Sequence, residues 1–178
     1  DDHVAAAAQL INNAKRPLAL VGHGVELGGA QNELVEFLEK ADIPAARTLL
    51  GLSALPSDHP LNVGMLGMHG SYAPNVMTQQ ADVIIAIGMR FSDRVTGRLD
   101  TYAKQAKIIH LDIDNVEIDK NVKTDVSVVG DCKMSLPAIT RLLNKNEHTE
   151  WIEGFKPYLQ QETEKVIEPA IHPKEGPL

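Results

Sequence analysis

The chain has 178 residues, 43% of them apolar and 23% charged, with a formal net charge of −7. These are the values of one well-buried globular domain. An acidic chain without a basic cluster is not expected to bind nucleic acid, and no apolar run approaches the roughly 18 residues of a membrane span. The single cysteine, Cys132, excludes an internal disulfide and a cysteine-built zinc site, and it fits a reducing compartment.

Helical and strand patterns alternate along the chain. An Ala-rich helix is predicted over 4–14, a short apolar strand over 17–21, an amphipathic helix over 29–40 and a second strand over 43–49. A loop rich in Gly, Pro and Ser, with at most short helical pieces, is predicted from 51 to 70. The later predicted elements are a helix over 73–80, strands over 83–87, 107–113 and 125–129, and helices over 132–144 and 150–164.

Continuous apolar strands separated by helices are typical of a parallel sheet that is buried on both faces. We therefore predict an α/β fold, a doubly wound Rossmann-like sheet of about six parallel strands with helices on both faces. Residues 1–145 would form this nucleotide-binding domain, and residues 146–178 a linker helix and tail. Such sheets bind ligands beyond the carboxyl ends of their strands, so the residues that follow each strand are the candidate site.

The first strand ends in Gly22-His23-Gly24. Two glycines allow a tight turn and a close backbone approach to a ligand, and a helix that starts near Gly28 would present free N–H groups to an anion. The pattern alone is weak, because Leu27 occupies the last glycine position of GxGxxG. An ordinary strand-to-helix turn is an equally good interpretation.

Two arginines, Arg90 and Arg94, follow the strand over 83–87, with Asp93 between them. Guanidinium groups bind phosphate or carboxylate through paired hydrogen bonds, so this pair suits a pyrophosphate or an organic acid. We expect Asp93 to orient one of the arginines through an ion pair. The alternative is a solvent-exposed charged turn.

Acidic side chains follow the last two strands. Asp112 stands where an acidic residue commonly binds ribose hydroxyls in dinucleotide folds. A helix N-cap is the alternative role, and Asp114 suits that role better. Asp131 precedes a helix and is either a cap or a ligand contact.

The segment Gly64–Gly70, GMLGMHG, interleaves three glycines with two methionines and a histidine. The glycines indicate a backbone pressed against a neighbour, and methionine adapts to irregular apolar surfaces. No second His or Cys stands at metal-ligand spacing from His69, so no metal site is predicted. The residues alone indicate a nucleotide-like ligand on a doubly wound sheet and no more.

Four stretches together resemble the central domain of the acetolactate synthase (acetohydroxyacid synthase) large subunit. They are GMLGMHG at 64–70, ADVIIAIGMRFSDRVTG at 81–97, IIHLDID at 108–114 and GD at 130–131. The resemblance implies a thiamine-diphosphate and Mg²⁺ enzyme that joins two 2-oxoacids, pyruvate with pyruvate or 2-oxobutyrate, with decarboxylation in branched-chain amino-acid biosynthesis. It further implies a cytoplasmic homodimer or tetramer with a regulatory small subunit.

In that family the central domain binds FAD, which has no net redox role in the reaction. The resemblance implies that Arg94 also reaches the active site and favours the second 2-oxoacid, and that Met68 and Asp93 border the same substrate channel. Carried over by position, the residues that would contact FAD are Gly22, His23, Gly24, Thr48, Leu49, Leu66, Gly67, Met68, His69, Gly88, Arg90, Arg94, Val95, Asp112, Ile113 and Asp131.

The sequence departs from the family pattern at His23, Leu50, Met89 and Ser92, where Gly or Ala, Gln, Ala and Asp are the usual residues. It also lacks the thiamine-diphosphate motif and the catalytic glutamate of the family, so we expect the chain alone to be inactive. Its binding of FAD is expected to be weak or absent, because neighbouring domains would cover part of the cofactor.

Two alternatives are open at this point. One is a freestanding nucleotide-binding module of the NAD type without catalysis. The other is an NAD-consuming deacylase, which the single cysteine disfavours because that class usually carries a four-cysteine zinc module.

Overall fold

The computed structural model describes residues 2–172 of the chain. Six strands form one all-parallel sheet in the order β3-β2-β1-β4-β5-β6, which confirms the predicted doubly wound α/β fold. The strands are β1 (Pro17–Val21), β2 (Ala45–Arg47), β3 (Asn62–Met65), β4 (Val83–Ile87), β5 (Lys107–Asp112) and β6 (Val126–Val129).

Helices pack on both faces of the sheet, and short helices also occupy several of the connections. A 3-10 helix over Leu49–Ala54 follows β2, and a second one over Asn115–Glu117 follows β5. The α-helices are α1 (Asp2–Asn13), α2 (His23–Leu27), α3 (Gln31–Ala41), α4 (Tyr72–Thr78), α5 (Asp93–Thr96), α6 (Cys132–Leu142), α7 (Thr149–Glu153), α8 (Lys156–Glu162) and α9 (Glu168–Ile171).

The hydrophobic core has two layers, one on each face of the sheet. On one face α1, α3 and α6 bury side chains such as Ile11, Phe37 and Ile139. On the other face α4 and α7 contribute Met77 and Trp151. Because successive strand residues point to opposite faces, β1 and β4 feed both layers and are buried at every position. This explains their uninterrupted apolar sequences.

The strand order reverses between β1 and β4. From β1 the chain moves outward through β2 to the edge strand β3, and it then returns to form β4 on the other side of β1. The two strands are in register, with Val21 opposite Ile87. Their carboxyl ends therefore lie side by side while the following loops diverge, which is the position where doubly wound sheets open a ligand crevice.

Several predicted boundaries need correction. The loop predicted from 51 to 70 contains the edge strand β3, whose short sequence NVGM carries a glycine and lacks a continuous apolar run. The helix predicted from 29 begins at Gln31, because Gly29 has a positive φ of 61°. The single helix predicted over 150–164 is divided into α7 and α8, with the break at Gly154 and Phe155.

The segment after α6 packs on the body of the sheet. Trp151 donates a hydrogen bond from Nε1 to the Pro17 carbonyl oxygen at 2.7 Å and packs edge-on against Phe155, and both aromatic side chains are buried. His148 is buried as well, and its backbone N–H donates to Asp42. The role of residues 146–178 as a linker stays a prediction, and positions 173–178 lie outside the described residues. Within 2–172, no helix combines the length and apolarity needed to cross a membrane.

We predict that Trp151→Ala lowers the free energy of unfolding by about 3–5 kcal/mol, because it removes a buried aromatic side chain and leaves the Pro17 carbonyl without its donor. Urea unfolding measures the change. The control is Ile167→Ala, at a residue 43% exposed, which should change stability by less than about 0.5 kcal/mol. Equal effects of the two substitutions would contradict the packing of this segment.

Candidate functional site

A groove of about 710 Å³ lies over the carboxyl ends of the strands, where the strand order reverses. Its walls come from the loops that follow β1, β2, β4, β5 and β6. Sequence positions far apart in the chain therefore meet at this edge of the sheet. The residues predicted as FAD contacts that line the groove are Gly22, His23, Gly24, Thr48, Leu49, Gly88, Arg90, Arg94, Val95, Asp112, Ile113 and Asp131.

The floor of the groove is built by backbone packing between the loops after β1 and β4. The Gly24 N–H donates to the Gly88 carbonyl oxygen at 2.9 Å. A Cβ on Gly24 would lie 2.7 Å from the Gly88 Cα, and Gly88 itself has a φ of 56°. The glycines of the GxG pattern are therefore required by loop packing, whereas the sequence suggested a close approach to a ligand.

The wall on the β2 side is fastened by hydrogen bonds from polar side chains. Arg47, buried at the end of β2, donates from Nη1 to the Leu52 and Leu55 carbonyl oxygens at 2.7 and 2.9 Å. Burial lowers the pKa of this guanidinium. His23 Nδ1 lies 3.0 Å from the Leu50 carbonyl oxygen. These bonds fix the 3-10 helix over Leu49–Ala54 against the loop after β1, and Thr48 and Leu49 face the groove from it.

The wall on the β4 side carries the two arginines. Arg90 and Arg94 are exposed, and neither forms an ion pair with a carboxylate of residues 2–172. The expected ion pair of Asp93 is wrong. Asp93 Oδ1 instead accepts from the backbone N–H of Arg94 at 2.9 Å, in the first turn of α5. Within residues 2–172, the Arg90 guanidinium therefore keeps its donors for a ligand, and the Arg94 guanidinium keeps those that do not contact the Met68 sulfur.

The loops after β5 and β6 carry two carboxylates. Asp112 Oδ1 accepts from the Asp114 N–H at 2.9 Å, and Asp131 Oδ1 accepts from the Lys133 N–H at 2.8 Å as the N-cap of α6. The N-cap alternative is thus confirmed for Asp131, and Asp114 caps the short 3-10 helix after it. Asp112 Oδ2 lies 3.8 Å from His110 Nε2, and the second oxygen of Asp131 accepts no hydrogen bond from the described residues 2–172. Within residues 2–172, no three His, Cys, Asp or Glu side chains are grouped so that they could hold a metal.

A smaller cavity of about 350 Å³ adjoins the groove at Arg94 and Val95. It takes in the predicted residues Leu66, Gly67 and Met68, together with Asp93. The backbone of Met68 donates to the Arg94 carbonyl oxygen at 2.8 Å, and Arg94 Nη1 lies 3.6 Å from the Met68 sulfur. The segment Gly64–Gly70 therefore packs against the loop that carries Arg94.

Asn75, on α4, fixes this segment. Its side chain accepts from the Gly67 N–H and donates to the Gly67 carbonyl oxygen, both at 2.9 Å. Gly67 has a φ of 101°, a conformation that favours glycine. His69 is exposed and lines neither cavity.

Several residues that line the groove are absent from the predicted FAD contacts. Leu27, Gly28, Met89 and Ser92 stand within four residues of predicted contacts, so a wider window after each strand would have included them. Cys132, directly after Asp131, also lines the groove and is also absent from the predicted contacts. Burial, with the nearby Asp131 and Asp112 carboxylates, raises the pKa of its thiol to about 11, so the thiol is neutral at physiological pH. No short-range pattern indicates Arg47 or Asn75, which act on backbone groups of other loops.

Comparison with known proteins identifies relatives of this architecture. Residues 4–139 match the family described as "Thiamine pyrophosphate enzyme, central domain". The chain is 48% identical over 151 residues to the probable acetolactate synthase large subunit of Methanocaldococcus jannaschii. The aligned region covers 83% of the chain and 25% of that relative. The chain is 44% identical over 160 residues to the probable acetolactate synthase large subunit of Methanococcus aeolicus, covering 83% of the chain and 27% of the relative.

The acetolactate synthase isozyme 2 large subunit of Escherichia coli is 44% identical over 142 residues, covering 80% of the chain and 26% of the relative. The chain spans about a quarter of the length of the curated relatives it matches. It is therefore similar to one part of these enzymes.

We predict that Gly88→Ala lowers the free energy of unfolding by more than about 3 kcal/mol, because the new Cβ would be 2.8 Å from the Gly24 Cα at a φ of 56°. Gly29→Ala is the matched control, since Gly29 has a φ of 61° with open space around it, and it should lose only about 1 kcal/mol. Denaturant unfolding compares them. If both substitutions had the same effect, the loops after β1 and β4 would not be closely packed.

Proposed function

The chain belongs to the central-domain family of thiamine pyrophosphate enzymes, and from that membership we propose that it is the FAD-binding central domain of an acetolactate synthase large subunit. The complete enzyme would join two 2-oxoacids, pyruvate with pyruvate or 2-oxobutyrate, with decarboxylation in branched-chain amino-acid biosynthesis. Thiamine diphosphate and Mg²⁺, held outside this chain, would supply the chemistry of that step. The chain itself would bind FAD and present Arg94 to the reaction.

The observation that carries the FAD proposal is the distribution of charge along the groove, with two arginines after β4 and two carboxylates after β5 and β6. Arg90 and Arg94 offer guanidinium donors on the β4 side without a carboxylate partner among residues 2–172. Paired donors of this kind bind phosphate oxygens. The pyrophosphate of FAD would therefore lie between Arg90 and the loop after β1.

The two carboxylates suit the adenosine half of the same ligand. Asp112 and Asp131 can each accept a hydrogen bond from a ribose hydroxyl through a carboxylate oxygen. Exposed apolar side chains, among them Leu27, Leu49 and Ile113, border the groove. Flat aromatic rings bury well against such side chains.

The smaller cavity extends the proposal toward the substrate. Leu66, Gly67, Met68 and His69 would follow the extended middle of FAD. Arg94 lies where the groove and this cavity join, so its guanidinium could contact both the cofactor and the carboxylate of the second 2-oxoacid. Met68 and Asp93 would border the substrate channel on the same side.

From the same family membership we also propose a cytoplasmic location and a homodimer or tetramer that binds a regulatory small subunit. The freestanding NAD-type module is not favoured, because the relatives that match 80% or more of the chain are acetolactate synthase large subunits. A competition experiment with FAD and NAD separates the two interpretations.

We predict that Arg90→Ala weakens FAD binding by about tenfold to a hundredfold, because it removes a charge-assisted contact to the pyrophosphate. The measurement is the quenching of flavin fluorescence when FAD is titrated into the full-length enzyme, because the chain alone is expected to bind FAD weakly or not at all. Arg98→Ala is the matched control: Arg98 pairs with Asp100 outside the groove, so affinity should change less than about twofold.

Two outcomes would contradict the FAD proposal. One is the absence of FAD binding by the full-length enzyme. The other is NAD binding that is tighter than FAD binding and survives Arg90→Ala unchanged.

We predict that Arg94→Ala in the full-length enzyme changes the preference for 2-oxobutyrate over pyruvate as second substrate by about tenfold, because a guanidinium contact to that substrate is lost. Product ratios from mixed substrates measure this preference, and Arg98→Ala is again the control. A variant that lost only thermal stability, with product ratios unchanged, would exclude a role of Arg94 in substrate choice.

A further inference from the structure

The imidazole of His23 has a defined proton arrangement. Its side chain is 42% exposed and lines the groove, and Nδ1 lies 3.0 Å from the Leu50 carbonyl oxygen. A carbonyl oxygen can only accept a hydrogen bond, so Nδ1 must carry a proton and donate. The hydrogen bond to Leu50 therefore fixes the tautomer of the neutral ring.

The second ring nitrogen, Nε2, is the atom left for a ligand. Among residues 2–172, no side-chain or backbone atom forms a hydrogen bond with it. In the neutral ring Nε2 carries a lone pair and can only accept, whereas in the imidazolium it can only donate. The charge of His23 thus decides which ligand atom Nε2 can contact.

The backbone around His23 lies between the loops after β2 and β4. The Thr48 N–H bonds to the Val21 carbonyl oxygen, and the Gly24 N–H bonds to the Gly88 carbonyl oxygen. His23 and Arg90 both line the groove, from neighbouring loops.

We propose that His23 binds the ligand pyrophosphate as an imidazolium, with Nε2–H donating to a phosphate oxygen. A phosphate oxygen can only accept a hydrogen bond. In the neutral ring, Nε2 would therefore place its lone pair against a lone pair of the phosphate oxygen, and no hydrogen bond would form. Binding would then take up one proton from solvent onto Nε2. This inference rests on the proposed binding of FAD in the groove.

The charged groups that face the groove with His23 come from its own helix and from three other loops. Glu26 Oε2 lies 3.5 Å from Nδ1 on the same helix. Asp112 and Asp131, at the ends of β5 and β6, and Arg90 and Arg94, in the loop after β4, line the same groove.

The direction of the pH effect follows from this proton uptake on binding. A ligand that favours the protonated ring binds more tightly where the ring is protonated before binding. The added affinity is therefore present at low pH and is lost as pH rises through the range in which histidine titrates.

The test is the pH dependence of FAD affinity between about pH 6 and about pH 8, measured by quenching of flavin fluorescence with the full-length wild-type enzyme and with its His23→Gln variant. The wild-type affinity should fall about fivefold over this range. His23→Gln, which keeps a donor for Leu50 but cannot change charge, should show no such fall. Riboflavin lacks the pyrophosphate, so its affinity should be independent of pH in both proteins.

The outcomes separate this inference from the proposed function. FAD binding with the same pH dependence in the wild-type enzyme and His23→Gln would overturn the inference and leave the function intact. If FAD affinity in the wild-type protein did not depend on pH, that result alone would overturn the inference about His23. No FAD binding at any pH would overturn both.

Discussion

The close contact between the loops after β1 and β4 is the constraint on which the site depends. Gly24 and Gly88 meet through backbone atoms, with a hydrogen bond of 2.9 Å between them, and neither position has space for a Cβ. Because the loops touch at their bases, the two strand ends form one continuous floor. The side chains beyond them, His23 on one loop and Arg90 on the other, then project around the same groove.

The proposed chemistry follows from the distribution of charge around this floor. Cations without a carboxylate partner in residues 2–172 stand on the β4 side, and two carboxylates stand beyond β5 and β6. A ligand that is anionic in the middle and carries hydroxyl donors toward one end matches this order. Asn75 and Arg47 contribute indirectly, since each holds a loop in place through backbone groups. In the proposed function these loops would hold the cofactor, with Arg94 where the groove and the smaller cavity join.

The parts of the fold that the sequence predicted are those with a strong local pattern. The apolar runs of β1 and β4 have the predicted bounds because burial on both faces demands apolar residues at every position. The edge strand β3 was missed because a strand at the edge of a sheet needs few apolar residues, and Asn62 and Gly64 interrupt its apolar run. The groove residues could be predicted because strand ends converge in this topology. The ion pair of Asp93 could not, since adjacent charges in sequence do not determine which backbone donor a carboxylate takes.

In the proposed function, one dinucleotide lies across the β1–β4 crevice with its pyrophosphate beside the arginines after β4. A crystal structure of the protein with bound FAD tests this placement. We expect phosphate oxygens in contact with Arg90 and His23, and the adenosine ribose beside Asp112 or Asp131. FAD bound with its ribose beside Arg90, or at the opposite end of the sheet in the groove lined by Lys15 and Arg16, would contradict it.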